Sequence, residues 1–573
     1  MNRNLEYALK RVQKPSRYVG GEYNQIVKDK GKVDVRIAYC FPETYEIGMS
    51  NLGLQIMYGL FNTIDDVWCE RVFAPWSDME EEMRTEGINL YALESGDEIK
   101  DFDIIAFSLG YELTYTNVLN MLNLAGIPLR SVSRSENDPL IIAGGTCCYN
   151  PEPVAEFFDL FVIGEGEEVA VELIAAYKTA KRSNLSKSDF LSNASCIKGI
   201  YVPSLYAICY NDENTISEIS PIGNAPLPVK KRIVEDLDAA FYPVKCIVPS
   251  MEIVHDRVSL ELMRGCFRGC KFCHAGHVCH PVRQRSCEKL VQLGTQSLEN
   301  SGYDEIALLS LSTSDYGELN RLCDDLLCYC EPRNISLSLP SLRADNFSVE
   351  LLEKVQKVRK SGLTFAPEAG SQRLRDVINK NITEEDLLQT CGLAFEGGYN
   401  SVKLYFMLGL PTETDEDVLA IAQLARAVHR TWKERSQNRS RGVRITISTS
   451  CFIPKAHTPF QYEAQISIDE YQRRVQLLKE AIGTKAITYN WHDPGQALIE
   501  AALSRGDRRL SDVIEAAWEN GARLDSWSEH FSLNLWQVAF QLCGTNADFY
   551  AARKRDKDEM PPWGHIACGY GAG

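Results

Sequence analysis

From about Cys246 to Ile482 the chain repeats one pattern: a short apolar run suited to a strand, then a longer stretch with apolar residues at helical spacing. The runs are Leu260 to Met263, Ile306 to Ser310, Ser336 to Leu339, Leu363 to Ala366, Val402 to Phe406 and Ile445 to Ser448. Strands alternating with helices imply a parallel arrangement, because parallel neighbours need a crossover long enough to hold a helix. Active sites in such folds gather at the carboxyl ends of the strands. The residues just after each run are therefore the ones that bear on chemistry.

The first run ends in Met263-Arg264-Gly265-Cys266-Phe267-Arg268-Gly269-Cys270-Lys271-Phe272-Cys273-His274. Thiolates are the usual ligands of iron–sulfur clusters, and three on one short loop hold three irons of a four-iron, four-sulfur cube and leave the fourth open. Zinc is the competing reading, since His274, His277, Cys279 and His280 follow closely. Tetrahedral zinc normally takes four protein ligands in paired spacings, which this triplet lacks. A disulfide framework is not indicated either. The 19 cysteines are odd in number and scattered, and Met1 to Leu5 opens no hydrophobic targeting stretch. A reducing compartment, the cytoplasm, is expected.

The CxxxCxxC spacing with Phe272 before the third cysteine resembles the signature of the radical S-adenosylmethionine (SAM) superfamily. The resemblance implies that Cys266, Cys270 and Cys273 bind a 4Fe-4S cluster and that SAM chelates its open iron. It also implies an enzyme that splits SAM reductively to methionine and a 5′-deoxyadenosyl radical, fed by an electron donor such as flavodoxin or ferredoxin. The core is then expected to be a partial (β/α)6 TIM-like barrel. Phe272 is a cofactor-side residue in this scheme. Ser312-Thr313-Ser314-Asp315, after the second strand, stands where the superfamily binds the SAM amine, although its Gly-Gly-Glu form is absent; Ser312 and Ser314 are the candidates.

After the fourth strand, Pro367-Glu368-Ala369-Gly370-Ser371-Gln372-Arg373 resembles the Glu-x-Gly-Ser segment of methylthiotransferase-like cores. The resemblance implies Glu368 as a ribose or amine contact and Arg373 as a charge-assisted partner of the methionine carboxylate. An ion pair at a helix start is the plainer reading of both. Met407-Leu408-Gly409-Leu410-Pro411-Thr412-Glu413-Thr414 is similar to the Gly-x-Pro-x-Glu-Thr turn of these cores, with Gly409 letting backbone approach a ligand. Phe452 to Phe460 is again family-like, and the resemblance implies apolar backbone facing adenine; a well-made turn is the plainer reading of both segments. No residue is assigned a catalytic role beyond these cofactor contacts.

Before the core, Val35 to Tyr39, Ile104 to Ser108, Leu140 to Gly144 and Leu160 to Gly164 read as strands of a doubly wound parallel sheet. Asp103 to Ser108, Ala143-Gly144-Gly145 and Asp159 to Glu167 together resemble a cobalamin-binding domain, which makes cobalamin a possible cofactor. The Asp-x-His-x-x-Gly loop is missing, and Cys40 to Gly48 stands in its place. The organisation expected is an N-terminal extension (1–32), this α/β domain (33–180), a linker region (181–245), the radical SAM core (246–485) and a helical C-terminal region (486–573).

No apolar run is long enough to span a bilayer, so no membrane partner is expected. A net charge of −17 gives no broad footprint for nucleic acid. The function expected is therefore a radical SAM enzyme acting on an unidentified substrate. The alternatives are a cobalamin-dependent methyltransferase, a methylthiotransferase-like modifier of RNA or protein, and a non-enzymatic iron–sulfur sensor or electron relay.

Overall fold

Near-continuous apolar runs in the first half build a six-stranded sheet from β1 (Val35–Phe41), β2 (Val67–Phe73), β3 (Ile104–Ser108), β4 (Leu140–Gly144), β5 (Leu160–Val162) and β6 (Ile200–Tyr201). Their order is β2-β1-β3-β4-β5-β6, parallel throughout except for β6, which runs antiparallel to β5. The chain leaves β1 on one side to make β2 and crosses to the other to make β3, so the switch point lies between β1 and β3. The computed structural model describes residues 3–339, 363–436, 440 and 442–569, and the chain divides into two units by contact.

Burial on both faces explains why β2 reads Val-Trp-Cys-Glu-Arg-Val-Phe with every residue buried, charges included. Arg71 is matched by Glu22 at 2.8 Å and Glu94 at 2.7 Å. A buried charge is tolerated only when paired in this way. Glu22 lies in the expected N-terminal extension, which is thereby stitched into the core of the first unit.

Two boundaries differ from the sequence-based division. The expected linker region is folded: it holds the helix Lys187–Ala194, strand β6, an antiparallel hairpin of β7 (Tyr206–Tyr210) and β8 (Ile216–Pro221), and β9 (Val229–Lys230). Most of the expected C-terminal region belongs to the first unit, which comprises residues 1–256, 502–547 and 556–573. Ser511 Oγ donates to Pro153 O at 3.0 Å, and Arg508 meets the fully buried Glu152 at 2.9 Å. Val229 of β9 pairs with Ile566 of the C-terminal strand, residues 566–567. Polar composition marks neither segment as part of a core, because each is completed by residues hundreds of positions away.

The second unit covers residues 257–501 and 548–555. Its strands are β10 (Val258–Glu261), β11 (Met263–Arg264), β12 (Arg283–Gln284), β13 (Glu305–Leu309), β14 (Ser336–Ser338), β15 (Leu363–Glu368), β16 (Ser401–Leu408), β17 (Arg444–Cys451) and β18 (Ile487–Trp491). β10-β13-β14 form one parallel sheet and β15-β16-β17-β18 another. Residues 340–362, between β14 and β15, lie outside the described residues. β18 continues the parallel series past residue 485, where the core was expected to end.

Alternation along β16 shows how the sheet is seated. Val402, Leu404, Phe406 and Leu408 are buried with Val418, Ile421, Ala425 and Val428 of the helix Asp415–Arg435. Lys403, Tyr405 and Met407 occupy the opposite face, in register with Thr446, Ser448 and Ser450 of β17. The expected α/β class with parallel sheets is what the chain adopts. Among the described residues, no helix is long and apolar enough to cross a membrane.

Candidate active site

Cys266, Cys270 and Cys273 lie on the loop between β11 and β12, whose antiparallel pairing of Met263 with Gln284 and Arg264 with Arg283 closes the loop at its base. Gly265 has φ 85 and a Cβ there would stand 2.9 Å from Cys279 O, so only glycine fits. Cys270 is buried, its two partners are half-buried, and all three are free thiols. The Cys273 sulfur accepts a hydrogen bond from Gly276 N at 3.3 Å. Burial pushes the Cys273 thiol up, the sulfurs of Cys270 and Cys266 add to that push, and Lys380 opposes it.

Zinc takes four protein ligands around one ion, whereas this loop offers three thiolates. A cube spreads three thiolates over three separate irons, so this donor set suits it better than it suits zinc. Of the histidines that kept zinc in play, His277 Nε2 lies 3.2 Å from Cys270 O. His274 is pushed down to about 3, by burial first and then by Lys455, His457 and His277.

The loop is gripped from two sides. On one, Arg268 Nε donates to Asp315 Oδ2 at 2.8 Å, and the Ser312 hydroxyl donates to the same oxygen at 2.7 Å. On the other, Lys271 N donates to Ile378 O at 3.0 Å and Asn379 Nδ2 donates to Gly269 O at 2.9 Å. Behind the loop, Phe272 packs with Met407 against a cluster of Ala369, Leu374, Ile378, Leu410, Phe452 and Phe460. Segments following β15, β16 and β17 thus meet the third-cysteine segment in one apolar seat.

Backbone strain marks the same ends of the strands. Glu368, Thr412 and His457 have φ of 67, 68 and 58, left-handed values that side chains rarely adopt. They follow or end β15, β16 and β17 in turn, and such outliers cluster where a ligand must be met. Gly370 passes so close to the helix Asp415–Arg435 that a Cβ would stand 2.4 Å from Ile421 N.

The residues singled out by sequence fall into different positions. Glu368 is half-buried and pairs with Lys380 at 3.2 Å, and the Lys380 ammonium also sits 5.9 Å from the Phe272 ring centre. Gly409 has φ 90 and its N–H donates to Glu413 Oε2 at 2.6 Å. Glu413 is held in turn by Arg474. Ser312 is buried and Ser314 half-buried. Arg373 is half-exposed and ion-paired with Asp417, with a hydrogen bond to Thr412 O at 2.8 Å. That is the ion-pair arrangement, and it ties the turn after β16 to the helix start after β15.

Sequence reasoning missed Asn379, Lys380, Asp417 and Arg474. The Asn379-Lys380-Asn381 run carries the one usable signal, because asparagine tolerates left-handed backbone and both asparagines adopt it, with φ 56 and 28.

At the crest of the six-stranded sheet, Glu43 just after β1 accepts from Trp527 Nε1 at 3.0 Å and from the Ser526 hydroxyl. Asn117 joins Pro42 O at 2.9 Å to Leu524 N at 2.8 Å. The switch point is therefore closed by residues 524–527, and no imidazole follows β1. A corrinoid there would have to displace this cover, and no step is routed through it.

Residues 53–203 match the family described as radical SAM proteins, N-terminal, and residues 260–425 match the radical SAM superfamily. With both modules present in order, the chain is a radical SAM enzyme, of a superfamily that uses a 4Fe-4S cluster and SAM. The uncharacterized protein MJ0966 of Methanocaldococcus jannaschii is 27% identical over 487 residues, covering 84% of this chain and 91% of its own. The threonylcarbamoyladenosine tRNA methylthiotransferase MtaB of Bacillus subtilis is 26% identical over 214 residues, 35% of this chain and 44% of that one. Among solved structures, the radical SAM methyltransferase TsrM of Kitasatospora setae, with cobalamin and a [4Fe-4S] cluster bound, aligns with a TM-score of 0.48 at 13% identity. That alignment covers 74% of this chain and 77% of TsrM.

Proposed function

We propose that Cys266, Cys270 and Cys273 hold a 4Fe-4S cluster and that the adjoining seat binds SAM for reductive cleavage, in service of an unidentified substrate. The observation that carries this reading is the convergence of Phe272 with the segments after β15, β16 and β17 in one apolar cluster directly behind the cysteine loop. The chemistry supplied there, when cluster and SAM are bound, is one-electron cleavage of the sulfonium. The chain itself contributes position and exclusion of water.

In this reading Glu368 and the Ser312 to Ser314 segment approach the polar end of SAM, and the Gly409 turn presents backbone to it. Arg373 acts by holding that turn through Asp417 and Thr412. Phe272 and Phe452 to Phe460 supply the apolar side. A small reducing protein such as flavodoxin or ferredoxin delivers the electron, and nineteen free cysteines suit a reducing compartment, the cytoplasm.

Anaerobic reconstitution followed by chromatographic assay for 5′-deoxyadenosine tests the proposal. SAM-dependent product under reducing conditions is the expected result. A full cluster with no SAM cleavage, and no change in its electron paramagnetic resonance on adding SAM, would leave the sensor or relay as the better account.

A further inference from the structure

The segment Ile378-Asn379-Lys380 follows the short helix Gln372–Val377 and has no place in the cysteine motif, yet it meets the cysteine loop directly. Asn379 Nδ2 reaches two carbonyls of that loop, Gly269 O at 2.9 Å and Arg268 O at 3.3 Å. Ile378 O accepts from Lys271 N, between the second and third cysteines, at 3.0 Å. Gly269, the residue whose carbonyl is held, has φ 64, so the grip falls where the loop turns through a conformation that needs fixing. Lys380 is itself fixed: its amide N donates to Arg375 O at 2.8 Å, its ammonium pairs with Glu368 at 3.2 Å, and it lies over the Phe272 ring.

We infer that residues 378–380 are the seat of the cluster loop, in which Asn379 fixes the loop's shape and Lys380 places its ammonium beside the third-cysteine corner. This deepens the proposed function and rests on it. Its physical basis is that a cluster's reduction potential follows the net charge and hydrogen bonding around it. Reduction adds a negative charge to a site that already bears three thiolates, so a cation held nearby in a partly buried setting favours the reduced form. Lys380 thus raises the potential, and Glu368, paired with it, partly cancels that effect. All these residues are positioning residues.

The test uses the full chain, reconstituted anaerobically without SAM, with iron and sulfide counted and the midpoint read by dithionite titration under electron paramagnetic resonance. Lys380→Met is expected to keep its cluster and move the midpoint to more negative values. Lys380→Arg should return it, and Glu368→Gln should move it the opposite way. Asn379→Ala is expected to lose iron to a chelator several-fold faster than the parent. An unchanged midpoint in Lys380→Met at full iron content, or parental iron retention in Asn379→Ala, overturns the corresponding half.

Should Lys380→Met fail to fold, the direction of the Glu368→Gln shift decides. If the parent takes up no four-iron cluster, the proposed function fails first. The seat is then judged on thiol alkylation of the cluster-free chain, where Asn379→Ala must react faster at Cys266, Cys270 and Cys273 and an unchanged rate refutes it.

Discussion

At the scale of single residues, the site is decided by a few atoms with no freedom to move. Cys270 is the most buried of the three cysteines, and Cys270→Ala should abolish both the cluster absorbance and 5′-deoxyadenosine production while the circular dichroism of the chain is retained. Gly370→Ala places a carbon against backbone of the helix Asp415–Arg435 and is expected to cost about 1 to 3 kcal/mol in denaturant unfolding. The cysteines and the Gly409 turn were legible from sequence, because spacing and glycine carry their meaning locally. Arg373 was visible as a residue but not in its bond, since Asp417 lies 44 positions away.

Asp525 supplies a pH dependence. Burial lifts its carboxyl from an ordinary 3.8 to about 6, although Thr116 and Trp536 both donate to it. A carboxyl raised on folding keeps its proton to higher pH than the unfolded chain does, so its contribution to stability is fully present only below about pH 4. That contribution is lost as pH rises through about 6. Relative to Asp525→Asn, the parent should lose up to about 3 kcal/mol between pH 4 and pH 7. Urea unfolding followed by tryptophan fluorescence across that range would show a flat difference if Asp525 does not titrate there.

At the scale of elements, the helices Leu510–Glu519 and Leu533–Leu542 bury Leu510, Val513, Ile514, Ala517, Trp536 and Phe540 within the first unit. Ending the chain at residue 501 removes these and exposes their counterparts in the sheet unit. The truncated protein is expected to aggregate, and monomeric behaviour with a native urea transition would contradict the packing described here. Their helical character was expected from the sequence. Their destination was not, because an amphipathic stripe says that a face is buried and not what buries it. The expected linker was misread for the same reason: β9 is two residues long, and its partner lies at 566.

At the scale of the whole molecule, the remaining sixteen cysteines are dispersed through both units. Many of them, such as Cys40, Cys69, Cys148 and Cys391, are buried with thiols pushed up by that burial. Thiolate character is what recruits iron, so these sites are poor competitors for it. Reconstitution should therefore give about four irons and four sulfides per chain, and about twice that would reveal another cluster. The order of modules was readable because each repeats a strand–helix pattern. Their true limits were not, since the first unit is built from three separate stretches of chain.

That discontinuity has a consequence for biosynthesis. The first 256 residues leave the ribosome without the helices of residues 502–547 that complete their unit, and at about 5 to 20 residues per second the missing part arrives roughly a quarter of a minute to a minute later. Throughout that interval the nascent amino-terminal half displays an uncovered apolar flank, and it is then that holdase chaperones should be found on it.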